Sequence, residues 1–298
     1  MSTSSSISNE IDAIIAKAME EYRNAKGEDA FAEVETPAEE SGTNEELEPE
    51  HLEIPVNPQS ILVSEETSRF SGAIWFDNIL TKEITLAGLG GIGSYVAFLL
   101  SRLHPASLIL YDDDVVESGN MSGQLYSSDD VGVSKTGAIA NMVERYSNYY
   151  SLAAFNDRFE ADSAPTKIMI CGFDTMRSRK TFFNSWKRFV LSLDPQERAS
   201  CLFIDGRLAA ESFQVFCIRG DDNFNMNKYE DEFLFRDSEA EETVCSYKQT
   251  TFMANMIASV MVNLFVNFCA NECNPLIPRD LPFFTEYSAD TMFFKVIS

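Results

Sequence analysis

Apolar and polar positions fall in alternating blocks along this chain, and past residue 60 the blocks read as strand, helix, strand. "EITLAGL" at 83–89 and "SLILYDD" at 107–113 are short apolar runs with a helical stretch between them, the pattern of a βαβ unit. "KIMICGFD" at 167–174 and "CLFIDGRL" at 201–208 repeat it around the helical "MRSRKTFFNSWKRFVLSL". "SFQVFCIRG" at 212–220 adds a strand, and the ending "LPFFTEYSADTMFFKVIS" predicts a hairpin with aromatic cross-strand pairs. The alternation predicts an α/β fold: a Rossmann-like, doubly wound, mostly parallel sheet with helices on both faces and a C-terminal hairpin. The stretch from Asp221 to Glu242 is polar and acidic and predicts a surface crossover loop.

Residues 250–270 form the longest apolar run, and Thr251, Asn255, Ser259, Asn263 and Asn267 recur in it every fourth position. One polar ridge on an apolar helix predicts burial against a sheet rather than a membrane span.

Composition adds a second region. The chain has 298 residues, 45% hydrophobic, and a formal charge of −24 that opposes nucleic acid and anionic lipid as partners. Residues 1–66 hold −14 of that charge, and from Glu28 to Glu53 there are eleven acidic residues and no Lys or Arg. Such a segment cannot bury enough apolar surface to offset its ordering entropy, so residues 1–60 are expected to be a disordered acidic tail. Within it Ile11, Ile14, Ile15, Ala18, Met19 and Tyr22 share one face of a short helix expected over 9–25. The folded body is expected over 61–298. No apolar leader opens the chain, and the six cysteines lack the clustering of a disulfide framework, so a cytoplasmic protein with reduced thiols is expected. The two histidines, His51 and His104, leave little for a Ser/His/Asp triad or a histidine metal site.

Gly88, Gly90, Gly91 and Gly93 stand where a strand becomes a helix. Glycine lets the backbone turn sharply and come close to a ligand, and the helix start offers free N–H groups to an anion, so a phosphate site is expected. Asp112, 19 residues after Gly93, is placed to accept ribose hydroxyls. A nicotinamide-dependent dehydrogenase fits these features equally well.

The ordered succession GLGGIGS, "YDDDVVESGNMSGQ", "DDVGVSK" and "CGFDTMRSRK" resembles the ThiF/MoeB/HesA family, relatives of the ubiquitin-activating enzymes, over about residues 66–270. The resemblance implies ATP-dependent adenylation of the C-terminal carboxylate of a ubiquitin-like or sulfur-carrier-like protein or peptide, with Mg²⁺, in a homodimer. It implies Asp112, with Asp114, on the nucleotide, Asn120 and Lys135 on the phosphates, and Asp174 as the Mg²⁺ ligand. Gln124 matches the family's glutamine, and Arg179 has a family counterpart among the nucleotide contacts. Independently of the name, attack of a carboxylate on the α-phosphorus builds charge on phosphate oxygens that a lysine, amide donors and a metal ion stabilise.

Two positions depart from the family pattern. Gly123 stands where it has an arginine in NLxRQ, and in "SRFSGA" Arg69 matches a first arginine while Gly72 replaces a second. Arg177, Arg179 and Lys180 are candidates to compensate. No CxxC pair occurs, so no zinc is expected, and Cys171, Cys201, Cys217, Cys269 and Cys273 read as structural. Cys245 lies where several relatives place the cysteine that takes the acyl group, and it is equally readable as a small residue in a turn. Two functions therefore stand at this point: an adenylyltransferase, or a catalytically inactive nucleotide-binding scaffold or interaction protein, with a plasmid or phage role left open by the compact, zinc-free form.

Overall fold

The computed structural model describes residues 65–235 and 249–297; the acidic tail, its expected helix and Cys245 lie outside the described residues. Five strands run parallel: β1 (Glu83–Ala87), β2 (Ser107–Tyr111), β3 (Leu152–Phe155), β4 (Ile168–Cys171) and β5 (Leu202–Ala209). Three more, β6 (Ser212–Arg219), β7 (Phe284–Ser288) and β8 (Phe293–Ile297), continue the sheet antiparallel from β5. The order is β3-β2-β1-β4-β5-β6-β7-β8, so the chain reverses its direction of growth between β1 and β4, and the last two strands are the expected hairpin.

Period-two alternation divides the strand side chains between two apolar layers. Ile84, Leu86, Leu202, Ile204, Phe213 and Val215 face one layer with helices α1 (Gly91–Ser101) and α5 (Thr251–Cys273). Ala87, Met169, Phe203, Phe216 and Ile218 face the other, with Phe182, Phe183 and Trp186 of α3 (Met176–Ser192). Helices α2 (Lys135–Ser147) and α4 (Asn223–Lys228) also pack on the sheet, with unnumbered single-turn helices at Phe76–Ile79 and Pro195–Arg198. Each fully buried Phe or Leu contributes about 1.5–3 kcal/mol relative to exposure.

By length and composition helix α5 could cross a membrane, yet Met253, Ile257, Met261 and Phe265 are fully buried in the sheet layer. Its polar ridge faces outward at Thr251, Asn255, Ser259 and Asn263, as the four-residue spacing predicts.

The expected loop over 221–242 is corrected in its described part. Asp222 caps α4, its carboxylate accepting from the Asn225 N–H at 3.0 Å, and the helix runs on through a wider turn at Tyr229–Phe233. Met226 and Tyr229 are fully buried while Asp221, Asp231 and Glu232 face solvent. The acidic residues lie on the outer face and hide a short apolar stripe that periodicity over so few residues does not reveal.

Candidate functional site

The carboxyl ends of β1 and β4 meet at the reversal of strand order, where open α/β sheets place their ligands. Gly88 leaves β1 with φ +83°, and a Cβ there would lie 2.7 Å from the Gly172 carbonyl carbon and 2.8 Å from the Phe173 nitrogen. Only glycine serves both demands. Gly93, on the first turn of α1, closes over Gly88 so tightly that a Cβ would overlap the Gly88 oxygen. Gly90 is the N-cap of α1 and caps it with no side-chain hydrogen bond, so the first N–H groups of the helix are available to a ligand, with the Gln249 side chain reaching the same turn from outside.

Asp112 follows β2 and turns back into this loop. Its Oδ2 accepts from the Leu89 N–H at 2.6 Å, its Oδ1 from the Asp114 N–H at 2.9 Å. Burial pushes the Asp112 carboxyl above the ordinary carboxylate value, and the Leu89 N–H, the Lys135 ammonium and the Asp114 N–H pull it back. Lys135 opens α2, where Ser134 caps the helix by accepting from Gly137. The Lys135 ammonium is buried, 2.7 Å from Asp114 Oδ2 and 3.9 Å from Asp112 Oδ1. The structure thus joins Asp112, Asp114 and Lys135 beside the glycine loop. Tyr126, absent from the sequence reading, donates to the Leu89 oxygen at 2.6 Å and braces the loop from below; burial raises its hydroxyl pKa.

Asn120 sits in the turn Ser118–Ser122, its Oδ1 accepting from the Glu117 N–H at 2.8 Å. Gln124 follows, its amide nitrogen 4.0 Å from where a Gly90 Cβ would stand. Gln124 Oε1 is buried without a hydrogen-bond partner among the described residues, as is Thr250 Oγ1. A buried amide left unpaired costs about 1–3 kcal/mol, and a bound nucleotide can satisfy it. Glycine cradle, helix N-terminus and ammonium make a donor set that fits a phosphate, and the unpaired Gln124 Oε1 is an acceptor suited to a ribose hydroxyl or a base amine of the same nucleotide.

Asp174 is exposed just beyond β4, with Thr175 capping α3 behind it. It stands apart from the one close carboxylate group among the described residues, Asp112, Asp113 and Asp114, whose oxygens lie within 4.8 Å of one another. Arg177 and Lys180 are exposed, whereas Arg179 is buried. The Arg179 guanidinium is turned into the protein: it pairs with Asp205 and donates to the carbonyls of Phe173 and Gly206. Its place is a brace under the strand exit that carries Asp174, which differs from the nucleotide contact that the resemblance implies. Asp205, fully buried, also accepts from Arg207 Nε and from the Tyr229 hydroxyl, each at 2.8 Å. The sequence signal was a charged D-x-R inside an apolar strand, "FIDGRL".

Cys171, Cys201, Cys217 and Cys269 are buried, and burial pushes Cys201 up to about 11 and Cys217 up to about 12, which disfavours the nucleophilic thiolate. Cys245 lies outside the described residues. Gly72 has nothing within 4 Å of its missing Cβ. Gly123 is different: a Cβ there would come within 2.8 Å of the Gln249 Cγ and 3.0 Å of its Nε2.

Residues 65–296 match the ThiF family. A ubiquitin-like modifier-activating enzyme 5 of Drosophila mojavensis is 33% identical over 116 residues, 37% of this chain and 29% of that protein. Its Arabidopsis thaliana counterpart is 32% identical over 36% of this chain and 23% of its own. The chain therefore spans under a third of these relatives. Among solved structures, E. coli MccB superposes with TM-score 0.58 at 16% identity, covering 78% of this chain and 69% of MccB, and MccB has also been crystallised with ATP. PaaA gives 0.57 at 16% identity over 75% of this chain and 65% of its own. These likenesses show the fold.

Proposed function

This chain belongs to the ThiF family, and from that premise we propose that it is an ATP-dependent adenylyltransferase activating the C-terminal carboxylate of a ubiquitin-like protein or peptide. The observation that carries the reading is the convergence of Asp112 and Lys135 on the glycine loop at the sheet's reversal point. In the reaction the carboxylate oxygen attacks the α-phosphorus of ATP, pyrophosphate leaves, and an acyl adenylate forms. Asp112, already ordered by two backbone N–H groups, accepts the ribose hydroxyls. Lys135 exchanges its bond to Asp114 for a phosphate oxygen, and the Asn120 and Gln124 amides add donors beside it. Asp174, exposed beyond β4, would hold Mg²⁺, which would supply charge neutralisation to the phosphates. Arg179 acts through the Phe173 carbonyl by fixing the chain that presents Asp174. A homodimer is the form we assign, and in a following step the Cys245 thiolate attacks the carbonyl of the acyl adenylate, forming a thioester as the acyl–phosphate bond breaks and AMP leaves.

Calorimetric titration of the full chain with ATP and with NAD, each with and without Mg²⁺, tests this. Saturable ATP binding that strengthens with Mg²⁺, and none of NAD, is the expected result. Asp174→Ala should remove the Mg²⁺ dependence, and unchanged binding in that variant removes Asp174 from the site. Absence of ATP binding by the wild-type chain overturns the enzyme reading and leaves a scaffold whose two glycines, Gly72 and Gly123, mark lost arginine contacts.

A further inference from the structure

The chain returns to the glycine loop at Gln249. A backbone bridge between Gln249 and Ala210, at the end of β5, holds it there, and the Thr251 hydroxyl donates to the Ser122 oxygen at 2.7 Å. The Gln249 side chain then reaches across the first turn of α1. It fills the space beside Gly123 and overlaps the place a Cβ would take on Gly91. Neither glycine is required by its backbone: among the described residues the glycines with positive φ are Gly88 and Gly132. What Gly91 and Gly123 share is that the same carboxamide occupies the room their missing side chains leave. A side chain at either position would displace the Gln249 carboxamide from the place it takes.

That carboxamide has polar neighbours without partners. Gln124 Oε1 and Thr250 Oγ1, on the residues that flank Gly123 and Gln249, are buried and without partners among the described residues, and the Gln249 atom nearest Gly91 is its Oε1, with Nε2 the next polar atom. Gly91 is the first residue of α1, so the amide lies over the helix end whose N–H groups and dipole favour an anion. A carboxamide can present its NH₂ by a half-turn of its last torsion, and a neutral donor lengthens the anion cradle without adding charge.

Resting on the nucleotide reading above, we propose that Gln249 is a nucleotide-binding residue whose carboxamide donates to the phosphate chain at the N-terminus of α1. Gly91 and Gly123 are the clearance that admits it. Gln249 thus supplies from the crossover chain a donor beside the position where Gly123 has no side chain.

The test is titration of the full chain, with Mg²⁺ present, against ATP and against adenosine, which shares the ribose and base and lacks the phosphates. Gln249→Ala should weaken ATP about tenfold and leave adenosine within about twofold, the loss of one charge-assisted bond. Gln249→Glu should weaken ATP further, since a carboxylate there repels the phosphates. Gly123→Ala should reproduce the Gln249→Ala loss, because its Cβ displaces the carboxamide. Equal weakening of ATP and adenosine would assign Gln249 a merely structural role, and unchanged or tighter ATP binding would make it a bystander or an obstruction; either overturns the inference while the nucleotide site stands. A wild-type chain that binds no ATP overturns both.

Discussion

Glycines that look alike in sequence differ in what surrounds them. Gly88 combines φ +83° with backbone atoms 2.7–2.9 Å from its missing Cβ. Gly88→Ala should therefore cost at least about 1–3 kcal/mol, read as a fall in the urea midpoint, because strain and overlap act together. Gly72 has open space and a permissive backbone. Gly72→Ala should stay within about 0.5 kcal/mol of wild type in the same measurement. The sequence marked the loop glycines by their spacing after a strand. It held no sign that Gly91 and Gly123 share Gln249, because that contact joins distant segments.

At the scale of elements, β5, α3 and α4 are tied by one buried ionic group. Burial raises the Asp205 carboxyl, but Arg179, Arg207 and the Tyr229 hydroxyl outweigh it and hold the carboxyl below its ordinary value. Asp205→Asn should cost about 3–5 kcal/mol at neutral pH, since it leaves two guanidinium groups facing a neutral amide. A depressed folded value means that the ionised carboxylate stabilises the fold fully above the unfolded value of about 3.9 and ceases to do so as pH falls through the folded one. The gap between wild type and Asp205→Asn in unfolding free energy should thus be constant from pH 7 to about 5 and close in the acid range. Tyr229→Phe, which removes one donor to a charged acceptor, should cost about 1.5–3 kcal/mol. Of these partners only Arg179 stood out in the sequence. Tyr229 belongs to an element whose acidic surface hid its buried side, and the Asp205–Arg207 pair in an apolar strand does not by itself point to a partner from α3.

On the scale of the whole molecule, one sheet carries two apolar layers, and a tryptophan reports on each. Trp75 packs against the layer of α1 and α5, and Trp186 lies within the layer of α3. Both layers share the strands of β1, β4 and β5, so losing one exposes the other's sheet face. Single-tryptophan variants, Trp75→Phe and Trp186→Phe, should each show one fluorescence transition with the same urea slope, and two separate transitions in the wild-type chain would show that the layers unfold independently. Leu86→Ala and Phe203→Ala, on opposite faces, should lower that one midpoint by about 2–5 kcal/mol of stability each.

Apart from edge strand β3 and helix α2, which carried no legible signal, the sequence by itself determined strands β1, β2, β4, β5 and β6, the final hairpin, helices α1, α3 and α5, the outward ridge of α5, and the loop with Asp112 behind it. Those follow from local periodicity and from spacing within one βαβ unit, which neighbouring residues set among themselves. The tertiary structure alone decided the strand order, the inward turn of Arg179 onto Asp205, the helix within the acidic crossover, and the lodging of Gln249 between Gly91 and Gly123. Each of these depends on surfaces brought together from distant parts of the chain, where burial and close contact, rather than local pattern, select the partner.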